Sequence, residues 1–539
     1  MHFLRIAFAA LLLIAPLSQS FADEPAKEPA KDAAKDTTKD TKPPPPEYKE
    51  TTGSVTVGGR AIDYQAVAGT LTVHAKGWDD AVAAKADKDA TPNPTAEAGM
   101  FYVYYAKRGV KPSERPVTFL FNGGPGSSTV WLHMGAFGPK RVLTPDDKHP
   151  AAAPYPFVSN IYSLLDISDL VFIDAPGTGF SRITGKDKEK EFFGIDPDAR
   201  AFAEFITLFM SKHGRWNSPK YLFGESYGTT RSAALINILE NERGVDFNGV
   251  ILLSQILNFD NSADAPQLNP GIDLPYQLVL PTFAATAWYH HKLGDGKKEL
   301  KPLLEEVEAF AMTDYAAALN EGGLLAGDKR KAVIDKLHDY TGLSRDYIAK
   351  SNLRINVGQF MKTLRNESDV TVGRLDTRFA GPTIDPMSRE ADYDPQSSAI
   401  SSSYISNFNN YVRTELKYGA GKTYRPETDV SPWDMRHQPP GTTDAWAKTG
   451  NVMPDLANAM KTNPNLKVLL NAGYYDLATP FFEGIFEMGH LPIPEGLRSN
   501  IQFHFYESGH MVYAHEPSLK ELHDTVADFI RKTDNLPAQ

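Results

Sequence analysis

Gly224-Glu225-Ser226-Tyr227-Gly228 sets a serine between two glycines, with one residue on either side. The motif directly follows the apolar run Tyr221 to Phe223 and directly precedes Thr229 to Glu240, which carries apolar residues at helical spacing. A chain that turns sharply from strand to helix needs small residues at both ends of the turn, and it lifts the serine hydroxyl above the sheet. A hydroxyl is a weak nucleophile until a base takes its proton, so a histidine held by a carboxylate must join it. Asp476 follows the apolar stretch Val468 to Gly473, and His510 follows the alternating stretch Ile501 to Tyr506. Taken singly, an aspartate after a strand is a turn residue and one histidine among 14 is structural. The order serine, acid, histidine, each after a strand, assigns them together as nucleophile, orienting carboxylate and base.

A third feature is Asn122-Gly123-Gly124-Pro125-Gly126-Ser127-Ser128, immediately after the run Pro116 to Phe121. Glycines let backbone N–H groups approach a developing oxyanion with no side chain in the way, the partner donor being the N–H of Tyr227, after the nucleophile. No lysine follows at the spacing of a phosphate-binding loop, which disfavours that reading of the glycines.

These residues need a scaffold that brings their turns to one edge. The runs Pro116–Phe121, Leu170–Ile173, Tyr221–Phe223, Val250–Leu253 and Val468–Leu470 are short and continuously apolar, each followed by Gly, Asp, Ser or Asn. That is the pattern of parallel strands buried on both faces, with ligands collecting at their C-terminal ends. Helical spacing over Arg200–Phe209 and Thr230–Leu239 supplies the crossovers. Upstream, the alternating apolar residues of 54–73 and 100–109 predict antiparallel strands. The fold class is α/β, with a mainly parallel central sheet, helices on both faces and a large insertion.

The chain divides accordingly. Residues 1–22 read as a signal peptide, with Arg5, the apolar run Ile6 to Leu17 and a small-x-small cleavage site at Ser20-Phe21-Ala22. An exported, periplasmic or secreted protein is therefore expected, and the apolar run falls short of the ~20 residues that span a bilayer, so no stable membrane insertion is expected. Residues 23–48 read as a solvated Pro/Ala/Lys linker ending in four prolines. The first part of the core spans 49–255, a cap or lid insertion 256–448, and the second part of the core 449–539. A net charge of −11 argues against nucleic acid as a partner. The chain has no cysteine, which excludes disulfides, thiolate metal sites and a cysteine nucleophile together. Tyr289-His290-His291-Lys292 reads as a solvated helix end, because adjacent histidines point to different faces and no H-E-x-x-H accompanies them. Neither metal nor cofactor is expected. In the insertion, Arg374 or Arg378 of Gly373–Arg378 is placed over the cleft as a candidate for a substrate carboxylate, against the plain reading of solvated charges. The sequence specifies no oligomeric state.

The blocks NGGPGSS, DLVFIDAPGTGFS (Asp169–Ser181), GESYG, NAGYYDLATP and ESGHM resemble those of the serine carboxypeptidase family, in the family's order. The resemblance runs from about Pro116 to Ile256 and from Leu466 to the end. It implies an α/β-hydrolase fold, with Ser226 as nucleophile, His510 as base and then acid, and Asp476 as its orienter. It also implies the N–H groups of Gly124 and Tyr227 as the oxyanion hole. For substrate it implies Asn122, Gly123 and Glu225 around a C-terminal carboxylate, and Met511 in a side-chain pocket. Three departures accompany it: Leu120 replaces the family's usual tryptophan, Ser127 its usual cysteine, and Ala136 a glutamate that would share a proton with Glu225. The leading expectation is a carboxypeptidase-like peptidase, without cofactor, acting on a peptide or small ester through an acyl-enzyme. An esterase or acyltransferase on the same residues, and a non-catalytic binding protein with this fold, are the alternatives.

Overall fold

A computed structural model of the chain describes residues 47–84, 92–294, 299–442 and 450–537. The signal-peptide reading, and the linker reading up to residue 46, lie outside the described residues. Ten described strands form one sheet. They are β1 (Tyr48–Val57), β2 (Arg60–His74), β3 (Glu97–Lys107), β4 (Val117–Phe121), β5 (Asp169–Ile173), β6 (Arg182–Thr184), β7 (Lys220–Glu225), β8 (Gly249–Leu253), β9 (Lys467–Gly473) and β10 (Ile501–Tyr506). β1 begins at Tyr48, one residue inside the stretch assigned to the linker, because Tyr48 already pairs with Gly69 of β2.

The spatial order is β1-β2-β3-β5-β4-β7-β8-β9-β10, with β6 paired to β3. The pairs β1–β2, β2–β3, β3–β5 and β3–β6 are antiparallel. The six strands from β5 to β10 in that order run parallel. The continuous apolar runs have a direct cause: successive side chains face opposite sides of the sheet, and both sides are covered. Leu222 packs with Phe119, Phe121, Val250 and Leu470 on one face. Its neighbours Tyr221 and Phe223 pack with Leu120, Ile251 and Leu469 on the other.

Helices complete the two layers. α1 (Ile195–His213), α2 (Tyr227–Asn241) and α7 (Met453–Thr462) cover the first face, and α9 (Glu516–Thr533) the second. Between β8 and β9 the chain leaves the sheet for helices that include α3 (Leu274–Tyr289), α4 (Leu300–Phe310), α5 (Gly327–Thr341) and α6 (Pro395–Thr414), and returns through α7. The ends of this excursion meet where the Val452 N–H donates to the Leu257 carbonyl at 2.9 Å. It is not one body. Ala263 to Val372 closes its own apolar core with Leu477, whereas Ala399 to Tyr424 packs into the second face of the sheet. α8 (Phe481–Gly489) lies between β9 and β10 in the chain.

Candidate active site

Ser226 stands at the junction of β7 and α2 with φ 60° and ψ −131°, left-handed backbone that a non-glycine residue adopts at a cost on the order of 1–3 kcal/mol. Local bonds hold it there. Its N–H donates to the Leu253 carbonyl at 3.0 Å, and its carbonyl accepts from the Thr229 N–H at 2.8 Å and the Thr229 hydroxyl at 2.7 Å. The two flanking glycines are required sterically: a Cβ at Gly224 would strike the Gly228 carbonyl, and one at Gly228 would lie 2.8 Å from the Phe121 carbonyl oxygen. Ser226 is partly exposed although its neighbours on both sides are buried.

Asp476 and His510 come from the C-terminal ends of β9 and β10, on the same edge. Asp476 is wholly buried, and its Oδ1 accepts from the N–H groups of Ala478 at 2.8 Å and Thr479 at 3.0 Å. Its Oδ2 accepts from the Thr479 hydroxyl at 2.7 Å and lies 2.7 Å from His510 Nδ1. With Nδ1 donating to the carboxylate, Nε2 is the nitrogen left to take a proton. Burial alone would push the His510 pKa down, but the charge and hydrogen bond of Asp476, with the charge of Glu225, outweigh it and hold it above the usual histidine value. The His510 carbonyl accepts from the Ser254 hydroxyl at 2.7 Å, and the Ser254 N–H donates to Asn471 of β9 at 2.8 Å. Ser254 follows Leu253, the residue that receives the Ser226 N–H, so the serine and histidine turns are braced through one strand end.

The glycine loop packs directly on the elbow. A Cβ on Gly123 would collide with the Tyr227 amide nitrogen and lie 2.7 Å from that of Gly228; Gly124 has φ 105°. Asn122 is buried and spends both ends of its amide: Nδ2 donates to Glu225 Oε2 at 2.8 Å, and Oδ1 accepts from the Leu132 N–H at 3.1 Å. Burial pushes the Glu225 carboxyl up to about 7, against the opposing charge of His510 and the hydrogen bonds from Tyr513 and Asn122. Tyr513 is a residue the sequence reading missed. Its signal was slight, a hydroxyl-bearing aromatic three residues after His510, because a tyrosine among apolar residues reads as core.

Other expectations meet different surroundings. Met511 is 5% exposed and packs in the core of the second sheet face. Arg374 and Arg378 are not held out over a cleft. Arg374 is paired with Asp264, and Arg378 is buried against Asp376, with Asp146 at 2.9 Å. The carboxylates that claim them are distant in sequence except Asp376, and charges already neutralised by their own chain are not free for a substrate carboxylate. His290 is not fully solvated either: it is half-buried and its Nε2 lies 2.6 Å from the Thr377 carbonyl oxygen, whereas His291 beside it is exposed. Among the described residues no group of three His, Cys, Asp or Glu side chains is arranged to hold a metal ion, and no helix is long and apolar enough to cross a membrane.

A parallel sheet with antiparallel strands at one edge, crossover helices on both faces and a serine elbow at its C-terminal edge define an α/β-hydrolase. The chain belongs to the serine carboxypeptidase family, whose model matches residues 91–485. It is similar to serine carboxypeptidase-like 7 of Arabidopsis thaliana, 32% identical over 133 residues, which is 24% of this chain and 29% of that protein. Serine carboxypeptidase-like 15 of the same organism is 24% identical over 181 residues, 31% of this chain and 39% of that protein. The match thus spans well under half the length of either relative. Among solved structures, proline iminopeptidase of Mycobacterium smegmatis aligns with 90% of this chain and 99% of its own at 12% identity and a TM-score of 0.32. MGS-M2, an α/β hydrolase from a Medee basin deep-sea metagenome library, aligns with 82% of this chain and 97% of its own at 11% identity and a TM-score of 0.34.

Proposed function

We propose that this protein is an exported serine peptidase that cleaves peptides from the C-terminus through an acyl-enzyme. The observation that carries the reading is the 2.7 Å contact between Asp476 Oδ2 and His510 Nδ1 on the sheet edge where Ser226 is held at φ 60°. In this scheme Ser226 Oγ attacks the scissile carbonyl carbon while its proton passes to His510 Nε2, and Asp476 stabilises the imidazolium. The oxyanion is received by the N–H groups of Gly124 and Tyr227, as the packing of the glycine loop against the Tyr227 amide favours. Collapse returns the proton from His510 to the leaving amine. Water, activated by the same nitrogen, then opens the ester.

Asn122, Gly123 and Glu225 would surround the substrate's terminal carboxylate, with Glu225 donating a proton when neutral. Met511 would contribute to the wall of a side-chain pocket from beneath, given its burial. A second reading, an esterase or acyltransferase, is favoured by one observation: both arginines that were candidates to meet a carboxylate are paired within the chain. The experiment that separates them compares hydrolysis of a blocked dipeptide acid, its amide and its ester by the mature protein. Preference for the acid supports the carboxypeptidase; turnover of the ester alone supports the second reading; no turnover, and no labelling by a fluorophosphonate, would leave a binding protein.

A further inference from the structure

The inserted segment Gly373-Arg374-Leu375-Asp376-Thr377-Arg378 runs between the turn that carries Asp476 and the turn that carries His510, and it bonds to both. On the acid side, the Thr377 N–H donates to the Tyr475 carbonyl at 3.0 Å and the Leu477 N–H donates to the Arg374 carbonyl at 3.0 Å, so Asp476 is bracketed before and after. On the histidine side, the His510 N–H donates to the Leu375 carbonyl at 2.6 Å and the Gly509 N–H donates to Asp376 Oδ2 at 3.2 Å. The approach is too close for a side chain: a Cβ on Gly509 would collide with Asp376 Cβ and the Leu375 carbonyl oxygen.

The segment is itself stiffened. Asp394 Oδ2 accepts from the N–H groups of Arg374 at 2.7 Å and Leu375 at 2.8 Å. Thr377 Oγ1 lies 2.7 Å from Thr286 Oγ1 of α3. Asp376 is wholly buried, and its charge is balanced by Arg378, which reaches it through Nη2 at 2.6 Å and Nε at 3.0 Å and extends to Ser508 Oγ at 3.4 Å. A buried carboxylate with a fixed guanidinium partner has one preferred place, and it passes that place to the Gly509 amide. Asp476 and His510 follow the paired strands β9 and β10, and the Tyr475 N–H donates to the Ser508 carbonyl at 3.0 Å, but past that bond each turn is free of the sheet ladder. The segment adds a brace on the far side of both, where misplacement by about 1 Å costs a reaction about a hundredfold.

We propose that residues 373–378 of the insertion are a positioning element of the hydrolytic site, with Asp376 the positioning residue that sets His510 against Asp476. This rests on the reading of Ser226 as the nucleophile. The insertion then belongs to the machinery of the reaction as well as to the cover over it.

The test uses the mature full-length protein with Asp376→Ala, Gly509→Ala and, as a control, Arg354→Ala. Arg354 pairs with Asp273 at the half-buried edge of the insertion, so its loss should lower thermal stability without touching the segment. Turnover of p-nitrophenyl acetate and the rate of labelling by a fluorophosphonate are measured on folded protein. We expect ten- to hundredfold losses of kcat and of labelling rate in Asp376→Ala and Gly509→Ala, KM within twofold of wild type, and neither loss in Arg354→Ala. The low-field proton signal of His510 Nδ1–H should weaken in both variants of the segment and persist in the control. If Asp376→Ala does not fold, Gly509→Ala decides. Variants of the segment that label at the wild-type rate, or an Arg354→Ala loss of equal size, overturn the inference alone. A wild type that neither labels nor turns over overturns the nucleophile reading and the inference with it.

Discussion

The Tyr513 hydroxyl donates to both carboxylate oxygens of Glu225, Oε1 at 3.1 Å and Oε2 at 2.9 Å, beside the elbow. Tyr513 also packs against the helix turn that holds Ala136, since a Cβ on the adjacent Gly135 would lie 2.7 Å from its ring. A neutral donor thus stands beside Glu225 near the residue where the family resemblance leads one to expect a second carboxyl. The hydrogen bond favours the charged form of Glu225, while burial favours the neutral one.

On the proposed reading, a substrate carboxylate is accepted only while Glu225 keeps its proton, so KM for a blocked dipeptide acid should rise as pH passes about 7. Tyr513→Phe removes a donor that lowers the Glu225 pKa, leaving burial less opposed. The rise in KM should therefore shift to higher pH in the variant, with the ester analogue unaffected. Superimposable profiles for wild type and variant would rule out Glu225 as the group that titrates.

Asp476→Asn should lower kcat by about four orders of magnitude with KM little changed, because the carboxylate orients His510 and stabilises its charged form without touching substrate. Asp174, an acid that follows β5, is engaged elsewhere, where it accepts from the Thr129 N–H at 2.8 Å. Ser226→Ala measured alongside should lose fluorophosphonate labelling altogether. An Asp476→Asn enzyme with near wild-type turnover would move the orienting role elsewhere.

The central parallel strands β4, β5, β7, β8 and β9 were legible because burial on both faces leaves their runs almost wholly apolar, and the half-exposed β10 because its residues alternate. The common edge of Ser226, Asp476 and His510 was legible because each follows one of these strands in a required order. Local glycines carried the elbow and the loop for the same reason: backbone crowding there forbids a side chain, and that constraint is written in consecutive residues. Tyr513 and Asp376 were not legible. Tyr513 acts through a hydroxyl whose partner lies 288 residues away, and Asp376 through a backbone amide 133 residues away. Arg378 was misread because its buried state depends on where Asp376 folds and on Asp146, 232 residues upstream.

His437 lies between two carboxylates, with Nδ1 2.6 Å from Asp196 and Nε2 2.6 Å from Asp455, and it ties the returning end of the insertion to α1 and α7. Burial opposes its charge, but the hydrogen bonds and charges of both aspartates prevail and raise its pKa from 6.5 to about 9. A raised folded-state value means that the stabilisation is fully present below the unfolded value of 6.5 and is lost as pH climbs through about 9. The contribution is on the order of 3 kcal/mol. The melting temperature of wild type should thus fall between neutral pH and pH values above 9 more steeply than that of His437→Gln, which should already be less stable at neutral pH. Parallel curves would show that His437 does not change charge over that range.

Gly123→Ala is the sharpest probe of the loop facing Ser226. The added Cβ would collide with the Tyr227 amide nitrogen and lie 2.8 Å from the Glu225 carbonyl oxygen, so loop and elbow must move apart by a few tenths of an ångström or more. Each N–H proposed to receive the oxyanion then shifts from the position where charge develops, and removal of one such donor costs about 10²–10³ in kcat. We expect a loss approaching that range on both ester and peptide substrates, because the oxyanion forms whatever the leaving group. Labelling by a fluorophosphonate should slow in proportion, since the phosphonyl oxygen uses the same donors. Gly126→Ala separates this from general disruption of the loop: its Cβ would strike the Thr428 carbonyl of the insertion rather than the elbow. That variant should lose thermal stability with a smaller loss of kcat. Equal kinetic losses in the two variants, or a Gly123→Ala enzyme with wild-type kcat, would refute the assignment of the Tyr227 N–H to the oxyanion.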